Sequence, residues 1–352
     1  MNETTKEIPI EDLPNPGALI DTRTEAAKAK DYKFGEIVSA IEQVVWVEKP
    51  QSAWRKFPIF NQNGSGSCVA QTLRKLYGVY LWLKTGVWVD ISGSHIYQRR
   101  SNRPAAGMGG EDVFTIGQKG TTLNSFAPSD DLTDSQMDAM NVIPFMEKIG
   151  ETFKLGKYVV VSPTDIDTIA SIIQATGKAV MVWFYFKYDE WTNVPTVIYP
   201  NLDQYASSTL RHSLGAVDYT LLGQSNVPDY PQFWGKKSLI IDESWGLGTA
   251  MNGQRVITED FFKARNFFAA HFMNFSFEEA TISKPRYDET VVSLQNCLKY
   301  EGLFPANVES SGVFGSITTK AVNAFQLKYG LATVGTGAVG PKTKAKLHEL
   351  YP

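Results

Sequence analysis

The segment Phe60–Trp82 reads FNQNGSGSCVAQTLRKLYGVYLW, and its two parts differ in character. The first, Asn61–Ser67, is glycine, serine and amide, a composition that favours a tight polar loop. From Cys68 onward, Val69, Leu73, Leu76, Tyr77, Tyr80 and Leu81 recur at three- and four-residue steps, which predicts a helix that starts at the cysteine. A thiol there meets unpaired N–H groups and the positive end of the helix dipole, so the nucleophilic thiolate is favoured. Gln62 lies six residues upstream, within reach of a loop that folds its amide back beside the thiol. A lone cysteine is more often a small buried hydrophobe, so the case rests on residues elsewhere in the chain.

Downstream of this segment, residues 88–128 mix short helices with loops and set Gly109–Gly110 before an amphipathic stretch, Asp112–Gln118. Residues 130–150 read as exposed helix. KYVVVSP is a strand pattern. DIDTIASIIQATG is a helix entered through Thr164 and Asp165 and ended by Gly177. KAVMVWFYF is a buried or central strand, and residues 187–209 a polar, aromatic loop. HSLGAVDYTLLG and SLIIDESWG are strands, and QRVITEDFF runs from a last strand into a turn. Helices first and strands second predict an α+β domain with a cleft between two lobes. Upstream, a helix fits Thr22–Lys30 and a helix-like run fits Ile37–Val47. Ile8, Ile10, Leu13 and Leu19 favour an arm packed on the outside of the domain.

His212 follows Cys68 by 144 residues and Glu243 follows His212 by 31. Both fall on strand patterns, and adjacent antiparallel strands would bring them together. Cysteine, then a histidine and its polar orienter roughly 130–150 residues on, is papain-type spacing. From about Trp54 to Phe275 the chain resembles the papain-like cysteine peptidases, through NQNGSGSCVA (Asn61–Ala70), RHSLGAVDY (Arg211–Tyr219) and DESWGLGTAMNGQRVI (Asp242–Ile257). The resemblance implies a two-lobed fold with Cys68 as nucleophile and His212 as its base and then acid. Gln62 and the Cys68 N–H would form the oxyanion hole, and Trp245 would cover the histidine and its orienter. Gly109–Gly110 would hydrogen-bond an extended substrate. The sequence departs from the family at Glu243, where an asparagine is usual, at Val69, and at Ser65, where many secreted members have a disulfide cysteine. Asp242, by strand alternation, points to the opposite face from Glu243.

The tail, Val291–Leu350, resembles the three-helix peptidoglycan-binding domain of cell-wall hydrolases. SLQNCLKYEGLF, GVFGSITTKAVNAFQLKYGL and GAVGPKTKAKLHEL carry the match, and Cys297 falls on a core position. The expected organisation is an arm over 1–50, a peptidase domain over 51–283 and a wall-binding domain over 290–352. A net charge of −3 offers no basic footprint for nucleic acid. No apolar run approaches the ~18 residues of a transmembrane helix. MNETTKEIPIEDLPNPG lacks the pattern of a secretory signal. Two cysteines and four scattered histidines give no disulfide scaffold and no zinc spacing, so no metal or cofactor is expected. The leading expectation is a cysteine endopeptidase made in a cytosol and acting on peptidoglycan or wall-associated protein, as in a phage lysin or virion component. A non-catalytic wall-binding or virion protein on the same scaffold, and an acyltransferase with the same chemistry, stay open.

Overall fold

The computed structural model describes residues 17–351 apart from 30, 32–41, 152, 156–157, 187–190, 192–196, 199–209, 273–274, 277–286, 288, 306–307, 309 and 333–335. The chain forms two compact units, Met1–Ser276 and Phe277–Pro352. The expected domain limits at 283 and 290 fall at or beside a stretch that lies mostly outside the described residues.

Helix α1, Cys68–Thr85, starts at the cysteine and stops at Gly86, whose φ of +72° turns the chain so that its N–H returns to Trp82 O. Short helices follow: α2 (Gly93–Tyr97), α3 (Gly110–Lys119), α4 (Asp134–Asp138) and α5 (Pro144–Gly150). Every residue of α1 from Cys68 to Leu81 is buried, because α2 and α3 pack on it from one side and a sheet from the other. Its polar residues are buried with partners. Gln71 donates to Ser129 O, and Arg74 grips Asp90 and Asp130. Lys75 donates to Asp242 at 2.7 Å with both side chains out of solvent. Breaking such a pair strands a buried charge and costs about 3–5 kcal/mol, so this contact ties α1 firmly to the sheet.

The sheet has strands β1 (Tyr158–Val161), β2 (Val180–Phe186), β3 (Val197–Ile198), β4 (Leu210–Leu221), β5 (Lys237–Asp242), β6 (Gln254–Thr258) and β7 (Asn266–Phe272). Their order is β1-β7-β2-β4-β5-β6-β3, antiparallel except for β3 beside β6. Helices α6 (Ile166–Thr176) and α7 (Glu259–Arg265) pack on it. Asp165 caps α6 by accepting from Thr168 N at 2.9 Å, and Gly177 ends it at φ +68°. In the core, Ile169, Ile173, Val182, Phe184, Leu214, Leu239 and Ile241 meet across the sheet and its helices.

Three sequence expectations need correction. The helix near the start covers only Glu25–Lys28. Of the run Ile37–Val47, residues 42–47 are not helical. Val44 N donates to Ser171 Oγ of α6 and Val47 O accepts from Leu221 N at the end of β4, so this stretch crosses from the helix to the end of the strand. The strands do not end at QRVIT: NFFAAHF enters between β1 and β2 after the α7 turn, and Phe275–Ser276 then pairs with Lys154–Leu155.

The second unit contains helices α8 (Val291–Tyr300), α9 (Ser316–Lys328) and α10 (Pro341–Leu350). Leu294, Cys297, Leu298, Val322, Phe325 and Leu347 form its core. A repeat runs through it: GVFGSIT (Gly312–Thr318) and GAVGPKT (Gly337–Thr343) both read G-x-x-G-x-x-T. In each, a buried glutamine of the preceding helix fastens the loop. Gln295 donates to Val313 O and Thr318 Oγ1 and accepts from Gly312 N. Gln326 donates to Ala338 O and Thr343 Oγ1 and accepts from Thr336 N. Gly315 and Gly340 occupy the matching positions just before α9 and α10.

Candidate active site

Cys68 is the first residue of α1 and wholly buried. Ser67 precedes it without capping the helix, its hydroxyl bonding to Ser65 Oγ instead at 2.8 Å. The first helical N–H groups, including that of Cys68, therefore keep no side-chain cap from Ser67. The Gln62 amide is held at both ends: Oε1 accepts from Ser244 Oγ at 2.5 Å and Nε2 donates to Ser65 O at 2.6 Å. Ser65 is thus a brace of the loop. Asp134 holds the same loop from outside, accepting from Gly66 N at 3.0 Å and from Tyr97 Oη at 2.6 Å.

His212 lies on β4 opposite Phe184 of β2. One helical turn beyond Cys68, Thr72 Oγ1 donates to Cys68 O or to Ser213 O, and so pins the start of α1 to the residue after His212. Glu243 follows β5 directly, and the Gly215–Asp242 pairing brings the two strands together as expected. Asp242 faces away, toward Lys75. His212 Nε2 lies 3.7 Å from Glu243 Oε2, with both side chains sealed from solvent. The Trp245 ring stacks on the imidazole at 4.9 Å and 25°, and Phe184, Phe186 and Trp191 surround it.

Burial alone would push the imidazole toward neutrality. The Cys68 thiol and then the Glu243 carboxylate outweigh it, and the His212 pKa is raised to about 9. Burial likewise opposes ionisation of Glu243, yet the charges of Arg255 and His212 hold its carboxyl below the ordinary range. Both ring nitrogens of His212 and Oε2 of Glu243 are buried without a hydrogen-bond partner. Buried polar atoms are rarely left so.

Among the described residues, no extended segment pairs with Gly109 or Gly110. Gly109 precedes α3 and Gly110 is its first residue. The neighbouring Met108 pairs instead, and its partner is the protein's own N-terminal arm: Met108 N donates to Gly17 O at 2.6 Å and accepts at its O from Leu19 N at 3.1 Å. Gly17 N donates to Cys68 Sγ at 3.2 Å. The described start of the arm, Gly17–Leu19, therefore lies beside Cys68, contrary to the outside packing expected from the arm's apolar residues; Ile8, Ile10 and Leu13 lie outside the described residues. A Cβ on Gly17 would sit 1.6 Å from Gly66 O, so only glycine lets the backbone approach the thiol this closely. Farther along, Arg23 bridges Asp21 and Asp31, and Asp31 also accepts from Tyr158 Oη at 2.9 Å.

Sequence reasoning missed Arg255, Ser244 and Gly17. Arg255 Nε donates to Glu243 Oε1 at 2.7 Å and its NH1 to Trp191 O at 2.6 Å. A lone arginine in the apolar strand QRVIT was the available signal. Among the described residues no group of histidine, cysteine, aspartate or glutamate side chains is arranged to hold a metal, and no helix is long and apolar enough to cross a membrane.

A helical lobe carrying Cys68 against an antiparallel sheet carrying His212 is the papain-like cysteine protease fold. Solved structures agree. Xylellain, a cysteine protease from Xylella fastidiosa, superposes with a TM-score of 0.54 at 16% identity, over 73% of this chain and 95% of its own. The cysteine protease and lectin-like domains of Cwp84, a surface layer associated protein of Clostridium difficile, give 0.52 at 16% identity, over 63% of this chain and 50% of theirs. Residues 287–347 match the family model described as "Putative peptidoglycan binding domain". No curated protein sequence matches the chain.

Proposed function

We propose that the chain is a latent cysteine endopeptidase that its C-terminal unit directs to peptidoglycan, and that it cuts peptide bonds of the wall or of proteins held there. The observation that carries this reading is His212, buried with free ring nitrogens between the Cys68 thiol and the Glu243 carboxylate. In the reaction, the proton of Cys68 resides on His212 and the thiolate attacks the scissile carbonyl carbon. The oxygen gains negative charge and is met by the Cys68 N–H and Gln62 Nε2. His212 passes its proton to the leaving amine, and a thioester to Cys68 remains. Water, deprotonated by His212, then releases the acid and restores the thiol. Glu243 holds the imidazole through Nε2 and stabilises its charged form.

The arm supports latency, because Gly17 occupies the thiol and the cleft is closed while it stays there. A surface-layer protease among the structural neighbours and the peptidoglycan-binding match agree with action at a bacterial surface, whether by a phage lysin or virion component or by a cellular protein. The test is mass spectrometry of purified peptidoglycan and of a protein library after incubation with protein lacking residues 1–30. New amino termini are expected, and Cys68→Ala should give none. Transfer to an added amine in place of water would point to an acyltransferase. No product with any substrate would point to a non-catalytic scaffold. Residues 277–352 alone should sediment with insoluble peptidoglycan; retention no better than that of an unrelated small domain refutes the targeting.

A further inference from the structure

Glu243 stands where the resemblance leads one to expect a neutral amide, and a bare carboxylate in a sealed site would be costly. Its Oε1 is taken by Arg255 Nε at 2.7 Å, while Oε2 alone faces His212. Arg255 is held in its turn. Its NH1 donates to Trp191 O, its guanidinium lies 4.5 Å from the Trp191 ring centre, and its side chain is 5% exposed. Backbone pairing adds to this, since Glu243 N donates to Gly253 O at 2.7 Å and Arg255 lies opposite Ile241 on the neighbouring strand.

We infer that Arg255 is a positioning residue, and that Arg255 and Glu243 act as one electrically neutral unit presenting a single acceptor oxygen to His212. This inference rests on the peptidase reading of the site. The pair substitutes for an amide: one oxygen is tied down and its charge balanced, and the other orients the ring. The groups facing His212 bear this out. From α1 comes the Cys68 thiol and from the end of β5 the Glu243 carboxylate. β2 and Trp191 contribute only rings, and Arg255 of β6 acts through Glu243. Buried ion pairs are often no more stabilising than hydrophobic pairs of equal volume, so what this pair does to the histidine is the reason we assign to it.

The test uses the full chain labelled with ring-15N histidine. The His212 signals are assigned by their loss in His212→Gln, and their titration is followed by NMR. Removing Arg255 leaves Glu243 uncompensated, so the His212 midpoint in Arg255→Met should rise by about one unit or more, the size of effect a nearby charge exerts. In Glu243→Gln it should fall by a comparable amount, since Arg255 is then unbalanced. The double variant Glu243→Gln/Arg255→Met should return to within about half a unit of wild type and resist urea better than either single variant. A purely structural arginine would change stability and leave the titration alone. If Arg255→Met does not fold, Glu243→Gln and the double variant make the same comparison, and the double should titrate about one unit higher. A midpoint unmoved by loss of Arg255 in either background overturns the inference. A wild-type His212 that is uncharged near neutral pH overturns the peptidase reading instead.

Discussion

Gly17→Ala tests the arm's place in the cleft most directly. The added methyl carbon would lie 1.6 Å from Gly66 O, 2.4 Å from Gly66 C and 2.9 Å from Gly66 Cα, all of them backbone. The loop cannot retreat. Gly66 is fastened to Asp134, and its other side is filled, since a Cβ on it would meet Gly107 N at 2.6 Å and the Tyr97 hydroxyl at 2.9 Å. The arm must therefore leave, and with it go the bond from Gly17 N to Cys68 Sγ and the two bonds with Met108. At about 1 kcal/mol net for each, docking weakens by about 3 kcal/mol, or about a hundredfold in the ratio of docked to open forms. The assay is the rate at which iodoacetamide labels Cys68 in the full chain, read by mass spectrometry of the modified peptide. Cys297, sealed in the core of the second unit, serves as the internal reference. The Gly17→Ala rate should exceed wild type by up to that factor, with protein lacking residues 1–30 as the ceiling. Labelling at the wild-type rate, or faster labelling of Cys297 alone, would refute the argument.

Two further outcomes are expected. Glu243→Gln keeps one amide oxygen that can accept from His212, whereas Glu243→Ala keeps none, so in arm-deleted protein it should hydrolyse fluorogenic peptides at least about tenfold faster than Glu243→Ala; equal rates for both variants and wild type would mean that another group orients His212. The His212 pKa, about 9 when folded, stands above its ordinary value, so its contribution to stability is complete below about pH 6.5 and is lost as pH rises through about 9. Urea midpoints measured across that window should fall with rising pH, and in Cys68→Ala the fall should be smaller and end at lower pH because the thiol is one of the two groups that raise the folded pKa.

The helix at Cys68, the strand bearing His212, the strand that ends beside Glu243 and the three-helix tail were legible in the sequence. Each is written in local terms: apolar spacing, a glycine stop, motif order. Sequence reasoning also sent Asp242 and Glu243 to opposite faces, since strand alternation is a local rule. What tertiary structure alone decided was every partnership between distant segments. The burial of α1 from Cys68 to Leu81 depends on a sheet more than a hundred residues away, and its polar residues are tolerable only because Asp90, Asp130, Ser129 and Asp242 arrive to meet them. NFFAAHF resembles any apolar strand until its two neighbours give it a place in the sheet. Arg255 reads as an oddity in an apolar strand, and only the fold brings its guanidinium to Glu243. Gly17 gives no signal beside Pro14 and Pro16; its fitness appears where the arm crosses Gly66 and no side chain fits between the two backbones. Local propensity is encoded residue by residue, whereas burial of charge and close approach of backbones depend on which surfaces meet.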